Sequence, residues 1–166
     1  KGTAKFVKFG AVTLADAVEP GGVGYDVQKL ETLASPADAN GIANPDPDTH
    51  LASYAVKRAK SAPKFVKRTD VRFANQCSDS VVTLGKPASV LVPTAEDPTN
   101  PPTAPDEADH DVDHFLCYKA KAQKKRADGT PAPVLRKGLQ VDVADEFQTT
   151  RYDLGKVVLA CNPVAK

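Results

Sequence analysis

The chain contains no Met and no Trp, only four Tyr and six Phe, and just three Cys. Without Trp it offers little of the stacking surface on which sugar sites and single-stranded nucleic-acid sites depend. The lack of Met, even at position 1, points to a processed or excised product of a longer precursor. No apolar run is longer than residues 157–161, far short of the roughly 20 residues a helical membrane span needs, so no such span is expected. Neither charge sign dominates: the net charge is +1 and the isoelectric point lies near 7.9, which removes any global electrostatic case for nucleic acid.

Catalytic patterns are missing too. There is no G-x-S-x-G, no phosphate loop and no Cys-x-x-Cys, and the Gly21, Gly22 and Gly24 cluster reads as a hairpin turn. Paired carboxylates occur in linkers, where nothing would hold them in a productive geometry. The sequence therefore reads as a non-enzyme without a cofactor.

What is present is strand-forming. Fourteen Pro, ten Gly and many Val and Thr suit short strands joined by turns. One pattern recurs along the chain. Setting Tyr54 against Tyr118 aligns THLASYAVK with DHFLCYKAK and His50 with His114; after an insertion, Pro63 meets Pro133 and the register holds to Pro93 on Pro163. Earlier, KFVKFGAVTLADAV (5–18) aligns with KFVKRTDVRFANQC (64–77), and GYDVQKLETLASP (24–36) with VVTLGKPASVLVP (81–93). The expected fold is all-β, in tandem three-stranded repeats, sandwich-like, with Pro-rich linkers. Residues 1–38 form a first repeat that lacks its opening strand, 39–49 a linker, 50–93 a second repeat, 94–113 an acidic Pro-rich linker, and 114–166 a third repeat with a disulfide.

Period-two alternation assigns the faces. Val12, Leu14, Val71, Phe73, Val141 and Val143 should point inward from the second strands, and Tyr25, Val27, Val82, Leu84, Tyr152 and Leu154 from the third. The Pro-rich linkers suggest extended spacers, leaving two arrangements open: separate beads, or strands of different copies sharing one sandwich. With its opening strand absent, the first copy should expose an unpaired edge along residues 5–18.

Cys117 and Cys161 sit on the first and last strands of the third copy, while the second copy has Ser53 and Leu91 at both matching places. Joint loss of both partners predicts a disulfide, with two buried thiols as the alternative, and an oxidising compartment follows from the bridge. Cys77 matches Phe147 and Val18, so it reads as a small apolar side chain in a hydrophobic slot.

Charges are segregated. Basic stretches carry Lys57, Arg58, Lys60, Lys124, Lys125 and Arg126, whereas the second linker carries Asp106, Glu107, Asp109, Asp111 and Asp113. Solvated loops explain this, and so does complementary contact within the chain or between subunits. Asp109, Asp111 and Asp113 alternate as Ca²⁺ oxygens would, yet the segment lacks the glycine turn and terminal Glu of a calcium loop. His114 has its equivalent in His50, without the same acidic setting, and no metal site is expected.

The combination FLCYKAK, V-x-V-x-D-x-F and L-x-C-N-P resembles a tandem repeat of secreted bacterial proteins of unknown function. Its units show a Cys-Tyr-Lys opening strand, an Asp-Gln-Phe turn and a closing Leu-Cys-x-Pro. The third copy fits with Cys117, Tyr118, Lys119, Asp145, Phe147, Cys161 and Pro163, but has Glu146 in place of Gln. The second copy keeps Tyr54, Asn75, Gln76 and Pro93 and departs at both cysteines. The resemblance implies secretion and all-β repeats, and brings no catalytic residues. Function is therefore expected to be that of an extracellular, cell-surface or periplasmic structural protein: a filament, a surface layer or an accessory subunit of a secreted complex. Its partners would be other protein chains, with no nucleic acid and no membrane span. The alternative is a ligand- or glycan-binding β module.

Overall fold

The computed structural model describes residues 6–46, 48–74, 79–97, 99–100, 102–106, 113–135 and 137–165, and among them it is all-β, with no helix. The strands are β1 (Phe9–Leu14), β2 (Val23–Ala34), β3 (Ala37–Ala39), β4 (His50–Arg58), β5 (Arg68–Ala74), β6 (Asp79–Thr94), β7 (Phe115–Ala122), β8 (Gln140–Asp145), β9 (Thr149–Asp153) and β10 (Leu159–Pro163). One seven-stranded sheet runs β1-β2-β4-β6-β7-β10, with β5 also paired to β6; a three-stranded sheet runs β3-β8-β9.

Three hairpins carry matching registers. Val12 faces Tyr25, Val71 faces Val82 and Val141 faces Tyr152; one step on, Thr13 faces Gly24, Arg72 faces Val81 and Asp142 faces Arg151. Opening strands match as well: Ser53 faces Leu91 as Cys117 faces Cys161, and Tyr54 faces Val90 as Tyr118 faces Ala160. The joins between segments follow the same rule. Along β2 and β4, Val27 faces Val56, Leu30 faces Tyr54 and Leu33 faces Ala52; along β6 and β7, Leu84 faces Ala120, Pro87 faces Tyr118 and Val90 faces Leu116. Even the register shift recurs, after Val27 in one and after Leu84 in the other.

Each opening strand thus lies between the third strand of the preceding segment and the third strand of its own. Separate beads are excluded, because backbone hydrogen bonds of one sheet cross every segment boundary. The core says the same: Leu14, Tyr25, Val82, Leu84, Val90, Leu116, Tyr118 and Ala160 form one buried cluster drawn from all three segments. The ends of the sheet also meet. Ala15 and Ala165 exchange both backbone hydrogen bonds, at 3.1 and 3.0 Å, and Asn162 Nδ2 donates to Asp16 Oδ2 at 3.3 Å.

Several expectations need correction. The third strand of the last segment is not continuous: β9 and β10 are separated by residues 154–158, and β9 leaves the main sheet with β8. Tyr152, expected inside, is therefore 42% exposed, whereas Tyr25 and Val82 at the matching positions are fully buried. The first linker is no extended spacer. Ala39 pairs with Val143 of β8, continuing Ala37 and Asp38 at the end of the first repeat, and the chain reverses at Asn40 and Gly41, which adopt φ of 53° and 76°, so that Ile42 N donates back to Ala39 O. Glycine takes a positive φ without strain and Asn tolerates it better than most residues.

Candidate functional site

The two cysteines are joined. Cys117 and Cys161 are a directly facing pair on β7 and β10, their Cα atoms 4.0 Å apart. A covalent bond thus fastens the opening strand to the last strand, and the bridge is compatible with an oxidising compartment. Cys77 lies outside the described residues. Phe147, at its matching position, is 73% exposed, so the last segment provides no hydrophobic slot there.

The basic residues do not act as one surface. Lys57, Lys60, Lys124 and Lys125 are at least partly exposed. Arg58 is held inside the chain: its Nη1 reaches Glu19 Oε2 at 2.7 Å, and its guanidinium lies 5.7 Å from the Tyr25 ring centroid and 5.9 Å from that of Phe65. Burial works against that charge, and the hydrogen bonds and charge of Glu19 more than offset it, so the Arg58 pKa stands above its ordinary value. Its partner is the turn after β1, not the acidic linker. Arg126 is half-buried in the hairpin where its N–H donates to Thr130 O. Asp106 and Asp113 are exposed, whereas Glu107, Asp109 and Asp111 lie outside the described residues.

A cluster the sequence reading missed surrounds His50. Its Nε2 stands 3.0 Å from Glu146 Oε1 and 3.9 Å from Glu96 Oε2. The expectation that His50 lacks an acidic setting is corrected: the β8-β9 turn supplies Glu146 from 96 positions away, which only the fold reveals. The hydrogen bond from His50, then that from Ser35 Oγ, hold the Glu146 carboxyl below its ordinary range. One nitrogen and two carboxylates are a donor set that metals accept. A metal at Nε2, however, requires the proton on Nδ1, and Nδ1 is buried with no partner among the described residues to receive it.

A further feature is an edge. Along β6, β5 pairs residues 79–84 and β4 pairs residues 89–94, while β7 pairs across both stretches. Since β7 overlaps each of them, β5 and β4 lie in line along the other edge. On β2, β1 occupies that edge as far as Val27, and among the described residues no strand continues it. Thr32, Leu33 and Ala34 face Ser53, Ala52 and Leu51, as Ser89, Val90 and Leu91 face Cys117, Leu116 and Phe115. Ser89 and Val90, flanked on both edges, are each 4% exposed; Leu30 and Leu33 are 52% and 46% exposed. An uncovered edge thus lies on the third strand of the first segment. Residues 5–18, where sequence placed an unpaired edge, also carry one: among the described residues β1 pairs with β2 alone, apart from the bridge between Ala15 and Ala165.

No helix among the described residues is long and apolar enough to cross a membrane. In comparisons with protein-family models, with curated proteins and with solved structures, the chain has no match.

Proposed function

We propose that the chain is a secreted, non-catalytic structural protein built from copies of one β unit, three of them recognisable within residues 1–166. In this reading the units interlock, each third strand receiving the opening strand of the next, and the protein serves in a filament, a surface layer or a larger secreted complex. The observation that carries the reading is the recurrence of one register at every junction: Leu30 on Tyr54 and Pro87 on Tyr118 between units, Ser53 on Leu91 and Cys117 on Cys161 within them. A joint that repeats inside one chain is one that a further strand of the same type can form, and contacts of this kind propagate where each added polypeptide brings such a strand and the symmetry does not close. The disulfide and the resemblance to secreted bacterial repeat proteins support an extracellular or periplasmic setting. Light scattering on the native material across a wide concentration range, with negative-stain micrographs of the same samples, tests the reading. Filaments, a ladder of oligomers or a stable complex with other chains are expected. A monomer at every concentration, in native extracts as well as in purified form, overturns it.

A further inference from the structure

We propose that the open edge of β2 at residues 32–34 receives an opening strand of the same repeat type supplied from outside the described residues, antiparallel, with its tyrosine opposite Leu33; this rests on the repeat reading above. Inside the chain the equivalent place is filled. Val90 of β6 faces Tyr54 of β4, with Ser89 facing Ala55 and Leu91 facing Ser53. Leu33 stands where Val90 stands, because each faces the matching residue of the following opening strand, Ala52 or Leu116. Residues 29–34 are all exposed, as expected of a strand paired on one edge only.

Nothing described blocks the place. Residue Phe6 leads into β1 and stacks on Tyr54 at 5.6 Å, as Phe65 leads into β5 and stacks on Tyr118 at 5.6 Å. In the second case β4 occupies the β6 edge at the same time, so the aromatic stack and a docked strand are compatible. An intact second copy cannot be the donor, since β4 and β7 are each paired along both edges. The occupant is therefore an opening strand not already flanked by its own third strand. Its chemistry follows from LASY and FLCY in this chain: two apolar residues, a small Ser or Cys to lie opposite Ala34, then Tyr. Main-chain hydrogen bonds to the edge would supply affinity and the alternate side chains specificity.

The probe is a synthetic peptide of residues 49–58, THLASYAVKR, added to the full chain, with a scrambled peptide as control. Hydrogen exchange at the amides of residues 28–34 should slow at least tenfold with the peptide and not with the scramble. The Leu33→Lys variant should bind it at least tenfold more weakly; because Leu33 is exposed, exchange in β4 and β6 of the free variant should match the parent and show that its fold is kept. Unchanged exchange at residues 28–34 at about 1 mM peptide, where even weak strand addition registers, overturns the proposal, as does equal binding by Leu33→Lys. The two readings separate cleanly. If the chain assembles while these amides exchange freely, the edge assignment fails and the assembly reading stands; if the peptide binds but the native protein is monomeric throughout, the reverse holds.

Discussion

Arg58 Nη1 donates to both carboxylate oxygens of Glu19, at 2.8 and 2.7 Å, and so ties the end of β4 to the turn that follows β1. The side chains are only 15% and 13% exposed, Tyr25 Oη donates to Glu19 Oε2 at 2.6 Å, and Arg58 Nε donates to Pro63 O at 2.7 Å. Removing one member of such a pair leaves the other buried and uncompensated, which typically costs about 3–5 kcal/mol. Glu19→Ala strands both Arg58 and the Tyr25 hydroxyl, and a loss of about 3 kcal/mol is expected in urea unfolding. A Glu19→Ala chain with the parent's unfolding midpoint would show that the pair contributes nothing.

Two buried tyrosines should respond in opposite ways to loss of the hydroxyl. Burial, then the hydrogen bond to Glu19, raises the Tyr25 phenol pKa well above its ordinary value, and Tyr25→Phe removes a made bond at a cost of about 1–2 kcal/mol. The Tyr118 phenol is raised as well, by burial first and by Asp16 second, but among the described residues its buried hydroxyl has no hydrogen bond of good geometry. Tyr118→Phe removes an unsatisfied polar atom and should be neutral or stabilising by up to about 1 kcal/mol. Denaturation of both variants in parallel checks the contrast; equal losses contradict it.

His50 and Glu146 make acid sensitivity local. The Glu146 carboxyl is held below its ordinary value of 4.5 by His50 and Ser35, against the like charge of Asp145, with Glu96 standing beyond His50. A carboxylate whose folded pKa is depressed stabilises the fold fully above its unfolded pKa and loses that contribution as pH falls through the folded value. The melting temperature of the parent should therefore exceed that of Glu146→Gln at about pH 6, and the gap should close below about pH 4. A gap that persists unchanged to about pH 3 would place the effect elsewhere.

How far sequence alone reached depends on the range of the interaction. Alternation at Val12, Leu14, Val82 and Leu84 found core positions because the two faces of a strand are a local property. The facing of Cys117 and Cys161 was legible because both copies could be compared at Ser53 and Leu91. Tyr152 was misplaced for the opposite reason: its own alternation is intact, but β9 departs into the small sheet with β8, whose other edge pairs with β3 from over a hundred residues earlier. The Arg58–Glu19 pair and the His50–Glu146 pair bring together residues 39 and 96 positions apart, and no spacing rule joins them. An open edge was anticipated along residues 5–18, where β1 pairs with β2 alone; the second one, along β2, was not, since sequence does not say which neighbour an opening strand chooses.

The pair Ser53 and Leu91 offers the sharpest test of the shared register. They face each other across β4 and β6 as Cys117 and Cys161 do across β7 and β10, and Ser53 is already buried, at 7% exposure. In a Cys77→Ser background, the double substitution Ser53→Cys and Leu91→Cys should form a second disulfide on air oxidation without disturbing the first. The loop it closes is similar in length to the native one, whose sequence separation is 44. Chain entropy places the stabilisation from such a bridge at about 4 kcal/mol before any loss of Leu91 packing is subtracted. Peptide mapping under non-reducing conditions should find the two introduced cysteines joined to each other, and the unfolding midpoint should rise relative to the reduced form. Two free thiols at these positions, with Cys117 still bonded to Cys161, would mean that the second unit does not share the geometry of the third.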